Sequence, residues 1–255
     1  MITDFSEKKL AEYLQPGQHV LIRFGHGLGD TIMFMPCLDS LRALYPQTHI
    51  DLYVESGQEE IWASVSDKDA EGYDIVFSLD FPMSEGGELT KPAKCCVDEL
   101  GIPPVTAVAQ LPTCESPLVA VHWQGTALPG SVNVPEAIAA QIWGEVLAAG
   151  KQPLEAHFQH VFHNPVNAQY PCVTATMREC QPRLSSLFGL LQRCHAFIGV
   201  ASGPLVAAMS IMPDRTLYLE NQHKVSSYTQ LDIPSLNVNE YQEGAVLQWL
   251  TSLTS

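Results

Sequence analysis

The sequence predicts an α/β protein made of two successive units, each with a parallel sheet. Three observations carry this reading. Residues 19–54 read as strand, glycine-rich turn, helix and strand. A second series of strands and helices begins at Leu118. Between them, residues 101–117 (GIPPVTAVAQLPTCESP) contain four prolines and read as a linker. A strand–helix–strand segment of this length closes as a parallel, right-handed crossover.

The elements follow in order. Residues 7–14 (EKKLAEYL) fit a short helix that Pro16-Gly17 ends. Residues 19–24 form a buried strand centred on Val20, Leu21 and Ile22, and residues 25–30 form the glycine-rich turn. A helix over 30–44 follows, with Met33, Leu38, Leu41 and Leu44 as its apolar stripe. Pro36 belongs to an early turn of it or bends it. Strands are expected over 49–54 and 73–79, a loop over 81–94 and a short helix over 95–100. In the second series, strands are expected over 118–122, 158–162, 196–200 and 216–219. Helices are expected over 135–149, 184–194, 204–211 and 240–253. The domain division is placed at 1–112 and 113–255.

Composition narrows the function classes. The chain has 255 residues, 46% of them hydrophobic, which is globular rather than disordered composition. Its 28 acidic and 13 basic residues give a net charge of −15. A binder of nucleic-acid phosphates needs a cationic face, and so does a protein docking on anionic lipid. Neither nucleic acid nor a lipid surface is therefore expected as a partner. No apolar run reaches 18 residues, so no membrane span is expected, and the acidic start (MITDF) does not read as a signal peptide. Seven cysteines, an odd number without a regular framework, point to a reducing cytoplasm.

Several residues are candidates for chemistry. The turn Gly25-His26-Gly27-Leu28-Gly29-Asp30 starts like a dinucleotide fingerprint, but Asp30 occupies its third glycine slot. That counts against an NAD-dependent enzyme, which stays a third reading. Gly27 and Gly29 still bring backbone N–H groups to a helix start, where an anion or polar ligand binds. Asp30 has two readings: a helix N-cap, or a base that deprotonates an acceptor hydroxyl. His26 is a ligand contact or an exposed loop residue, and Arg23 pairs with an acid. A second turn, Ser202-Gly203-Pro204, again joins a strand to a helix. Ser202 with the N–H groups of Gly203 and Leu205 suits phosphate oxygens, although plain helix capping explains it equally well. After the 118–122 strand, His122, Gln124, Gly125 and Thr126 line a polar loop that Ser131 and Asn133 extend. Trp123 either stacks on a ligand or packs in the core. His157, His160 and His163 are spaced i, i+3, i+6, but strand geometry puts His160 on the opposite face, so no metal site is expected.

At this point RFGHGLGDTIMFMPCLDSLRALYPQTHIDLYV resembles the opening of the heptosyltransferase family, glycosyltransferase family 9. CHAFIGVASGPLVAAM (194–209) resembles the family's later strand–SGP–helix, and VAVHWQGT its second-domain opening. The likeness spans residues 18–212. It implies a GT-B fold: two Rossmann-like domains facing across a cleft, acceptor side first and nucleotide-sugar side second. It also implies metal-independent, inverting sugar transfer from a nucleotide-diphosphate donor, often ADP-heptose, to an acceptor hydroxyl. No other cofactor is implied, and a homo-oligomer is compatible. Asp30 matches the family's base. His122 to Thr126, with Ser202, Gly203 and Leu205, matches the donor side. Three departures stand out. Ala201 replaces an Asp often found before SGP, no Lys occurs over 127–136 (with Lys151 and Arg178 as substitutes), and the chain is short. The alternative expectation is a non-catalytic nucleotide- or sugar-binding protein that kept the fold.

Overall fold

The computed structural model describes residues 9–54, 65, 71–79, 89–105, 115–125, 133–157, 178–180, 184–221 and 233–253. Two compact units divide the chain, changing over between described residues 105 and 115. The first holds a three-stranded sheet and the second a six-stranded sheet, and every strand pairing is parallel.

In the first unit, β1 (His19–Phe24) lies between β2 (His49–Val54) and β3 (Ile75–Leu79). A central parallel strand is covered on both faces, which is why Val20, Leu21, Ile22 and Phe24 are fully buried. α1 (Leu28–Leu44) returns the chain from β1 to β2. It starts two residues before the expected helix and buries Met33, Leu38 and Leu41, but Leu44 at its last turn is 51% exposed. Pro36 lies inside α1 rather than at its start, so the Ile32 carbonyl has no N–H to accept from at that position. A single 3-10 turn, Leu10–Glu12, stands where a longer helix was expected. Residues 91–94, expected in a loop, form the short helix α2 (Lys91–Lys94), which runs into a π-helical stretch, Cys95–Leu100. Gly101 ends it with φ 71°, and an added Cβ would lie 2.8 Å from Lys9 Cβ, so glycine is required there.

The second unit contains β4 (Leu118–His122), α3 (Glu136–Ala148), β5 (Gln152–His157), β6 (Arg178–Cys180), α4 (Leu184–Gln192), β7 (Ala196–Gly199), α5 (Gly203–Ile211), β8 (Thr216–Glu220), β9 (Ser235–Asn237) and α6 (Ala245–Ser252). The sheet order is β6-β5-β4-β7-β8-β9. Counted within the unit this is 3-2-1-4-5-6, the doubly wound dinucleotide-fold order. β5, β6 and β9 were not expected from sequence. The expected strand over 158–162 lies outside the described residues, as do His160 and His163. His157 is the last residue of β5. The closing helix is shorter than expected, because Gly244 (φ 89°) separates α6 from the 3-10 turn Val238–Glu240. The core joins Val119, Val121, Ile198, Leu217 and Leu219 of the sheet to Ile142, Val146, Val246 and Leu250 of the helices, with Trp123 buried among them.

Candidate functional site

Each unit places its polar loops at the carboxyl ends of its strands. In the first unit, β1 ends at Phe24 and α1 begins at Leu28. Gly27 is the N-cap residue in extended conformation (φ −70°), and Thr31 closes the turn by donating from both N and Oγ1 to Gly27 O, at 3.0 and 2.9 Å. An added Cβ on Gly27 would meet nothing within 4 Å. Neither a positive φ nor crowding asks for glycine, so the space beside it is open. Phe24 stacks on Phe34 at 4.8 Å and sits 5.0 Å from the His26 ring, tying the loop to the core.

Asp30 is the third residue of α1 and does not cap it; the N-cap, Gly27, has no side chain to do so. The carboxylate instead meets two groups. Lys91 Nζ lies 2.9 Å from Oδ1, and His26 Nδ1 lies 3.7 Å from Oδ2. Asp30 is 22% exposed, whereas the Lys91 side chain is only 4% exposed. Thr90 Oγ1 caps α2 by accepting from Ala93 N, and Pro92 stiffens its first turn. Cys37 of α1 reaches Pro92 O at 3.4 Å, and the thiols of Cys95 and Cys96 lie buried beside α2. The Cys95 contact and burial push the Cys37 thiol far above its usual range, and the Cys37 contact and burial do the same to Cys96.

Lys91 was missed at the sequence level. Thr-Lys-Pro (90–92) does carry a helix-start signal, a capping hydroxyl followed by proline. Its pairing with a carboxylate 61 positions earlier is a tertiary fact without a local signature.

In the second unit, the sheet reverses its winding between β4 and β7. The segments leaving those two strands are His122–Gly125 and Val200–Leu205, so the candidate residues gather at one switch point. His122 O accepts from Val200 N at 3.2 Å, and Gly199 keeps the approach close: a Cβ there would lie 2.7 Å from the Phe197 ring and 3.2 Å from His122 O. His122 is buried, Gln124 half-buried, and Trp123 belongs to the core at 2% exposure, which makes it a packing residue. Gly125 N donates to Asn133 Oδ1 at 3.3 Å. Asn133 O accepts from Asn221 Nδ2 at 2.9 Å, and Asn221 Oδ1 accepts from Asn239 Nδ2 at 3.0 Å. This amide chain links the loops after β4, β8 and β9. Thr126 and Ser131 lie outside the described residues.

Ser202 is the N-cap of α5. Its Oγ accepts from Leu205 N at 3.4 Å and donates to Val200 O at 3.0 Å. The Leu205 amide offered to a phosphate in the sequence reading is thus directed at Ser202, and the Leu205 side chain is fully buried. Gly203, at the first helical position, keeps an N–H without an intrahelical acceptor. Lys151 precedes β5 at the opposite, amino end of the sheet, where Gln152 pairs with Leu118. It is therefore remote from the switch point. Arg178 opens β6 in register with Glu155. Among the described residues no group of three or more His, Cys, Asp or Glu is placed to hold a metal, and no helix is long and apolar enough to cross a membrane.

No protein-family model matches the sequence, and no curated protein matches it significantly. Solved structures do match. A family 9 glycosyl transferase from Veillonella parvula aligns with 91% of this chain and 89% of its own, at 16% identity and TM-score 0.67. The Escherichia coli heptosyltransferase WaaC, solved with ADP, aligns over 92% and 99%, at 13% identity and TM-score 0.61. The dodecameric, iron-containing heptosyltransferase TibC, solved with ADP-D-beta-D-heptose, aligns over 91% and 66%, at 14% identity and TM-score 0.60. With its two parallel-sheet α/β units, the chain has the GT-B-like fold of the family 9 glycosyltransferases and heptosyltransferases, in a divergent sequence.

Proposed function

We propose that the protein is an inverting glycosyltransferase of the heptosyltransferase family that moves a sugar from a nucleotide-diphosphate donor, of the ADP-heptose class, to an acceptor hydroxyl. The observation that carries this reading is the gathering of His122, Gln124, Gly125, Ser202 and Gly203 at the switch point between β4 and β7. Doubly wound sheets bind nucleotides at such points. In this reading residues 113–255 are the donor domain and residues 1–112 the acceptor domain. The N–H of Gly203 and the start of α5 receive the diphosphate, with His122, Gln124 and Gly125 on the sugar side. The second observation is Asp30, partly exposed beside an open Gly27 and not used as a cap. Asp30 takes the acceptor proton as the acceptor oxygen attacks the anomeric carbon, and the bonding electrons leave with the diphosphate. No metal takes part. The buried cysteines Cys37, Cys95, Cys96 and Cys194, none in a disulfide, are in keeping with a reducing, cytoplasmic setting.

The test is a donor screen with ADP-, GDP-, UDP- and dTDP-sugars, following both binding and sugar release, with and without EDTA. The expected result is ADP-sugar binding, turnover that survives EDTA, and loss of turnover but not of binding in Asp30→Asn. Binding without turnover across acceptors favours the non-catalytic reading, which Ala201, buried where a family carboxylate often stands, already favours. No binding of any nucleotide refutes both.

A further inference from the structure

Among the described residues of the first unit, Lys91 is the buried lysine, at 3% exposure, whereas Lys9 is exposed and Lys94 half-buried. Burying an ammonium is unfavourable, and apolar side chains in place of a buried ion pair are often as stable or more so. A stability role alone therefore explains this lysine poorly. Its geometry is specific. Lys91 Nζ holds one oxygen of Asp30, Oδ1, at 2.9 Å, while the other, Oδ2, has His26 Nδ1 at 3.7 Å, beyond hydrogen-bond distance. The lysine is itself held. Thr90 caps its helix, Pro92 fixes the next φ, and Cys37 ties Pro92 to α1, the helix that carries Asp30.

We propose that Lys91 is a positioning residue for the transfer reaction. It clamps Oδ1 of Asp30 so that Oδ2 faces the acceptor hydroxyl and takes its proton. The inference rests on Asp30 being the base. In the step, the acceptor O–H proton passes to Oδ2 and the new bond forms between acceptor oxygen and anomeric carbon. The bond from that carbon to the diphosphate breaks, its electron pair leaving with the phosphate oxygen. Lys91 keeps its protons throughout.

The experiment compares wild type, Asp30→Asn, Lys91→Met and Lys91→Arg for kcat, donor and acceptor KM, and Tm. A misplaced base oxygen lowers kcat by about 10- to 100-fold without weakening donor binding. The expected result is therefore that loss in Lys91→Met, with donor KM and Tm close to wild type and partial recovery in Lys91→Arg. A purely structural role instead lowers Tm together with kcat and gives no recovery in Lys91→Arg. If Lys91→Met does not fold, Lys91→Gln, which keeps one donor, is expected to lose less activity than Asp30→Asn but clearly more than Lys91→Arg. An active wild type, an inactive Asp30→Asn and an unimpaired Lys91→Met (or Lys91→Gln) overturn this inference alone. A wild type that turns over no nucleotide sugar overturns the glycosyltransferase reading, and this inference with it.

Discussion

Glu145 of α3 gives the most direct test of how the second unit is held together. The residue is 8% exposed, and its carboxylate reaches across to the start of α6. Oε1 accepts from Gly244 N at 2.8 Å; Oε2 accepts from Val246 N at 2.9 Å and Leu247 N at 3.1 Å. One side chain thus satisfies three N–H groups that α6 cannot pair internally, and it puts negative charge at the helix's positive end. Glu145→Ala removes all three. The Val246 donor is buried and its loss costs about 1–3 kcal/mol, whereas the part-buried Gly244 and Leu247 groups recover some hydration. Loss of the charge at the helix's positive end adds about 0.3–1 kcal/mol. The expected destabilisation is therefore about 1–4 kcal/mol, with Glu145→Gln milder because one carbonyl acceptor remains. Urea unfolding followed by tryptophan fluorescence measures it, since Trp123, Trp143 and Trp249 all sit in or against this core. A Glu145→Ala transition within about 0.5 kcal/mol of wild type, the range of an ordinary surface change, would refute the capping argument.

Two further outcomes follow from the packing. Gly199→Ala places a Cβ 2.7 Å from the fully buried Phe197 ring and 3.2 Å from His122 O, and should lower stability by about 1–3 kcal/mol, read as a lower Tm; a Tm equal to wild type counts against the close approach of β4 and β7. The Cys37 thiol, held protonated by Cys95 and burial, and the Cys96 thiol, held protonated by Cys37 and burial, should resist alkylation at pH 8 until the protein unfolds, as mass spectrometry of the labelled chain would show. The same shift has a signed pH consequence. Unfolded thiols ionise near pH 8.5 and the folded ones do not, so this contribution is intact below about pH 8 and falls as the pH rises further, read by urea midpoints across that range.

The parts of the fold that were legible in the sequence are those with a regular burial pattern. β1 and β4 are central strands whose runs of Val, Leu, Ile, Ala and Phe mark them without reference to the rest of the chain, and β2, at the sheet edge, alternates buried Ile50, Leu52 and Val54 with less buried residues. α5 was legible because Ser202 and Pro204 are start signals. What was not legible depends on partners. β5 (QPLEAH) and β9 (SLN) have little strand composition; a parallel neighbour makes each a strand. α2 is one turn long and is defined by its packing against α1, so composition alone reads it as loop. The site divides in the same way. The glycine-rich turn with Asp30 could be found from its spacing, but the lysine that holds Asp30 could not.

The acidity of the chain bears on how its two units differ. In the first, a buried cation stands directly against the candidate base. In the second, Lys151, Arg193 and Arg215 precede strands at the amino end of the sheet, and Arg178 opens the edge strand β6. Arg215 donates to His195 O and Arg193 to Gly189 O, so both serve the fold at that end. Among the described residues, the Gly203 N–H and the amino end of α5 are main-chain sources of positive character at the carboxyl end of β7. A diphosphate held in this way depends on the geometry of those amides more than on net charge. In the proposed reading, the close contact at Gly199 and the Asn133–Asn221–Asn239 links therefore set the geometry of the donor side.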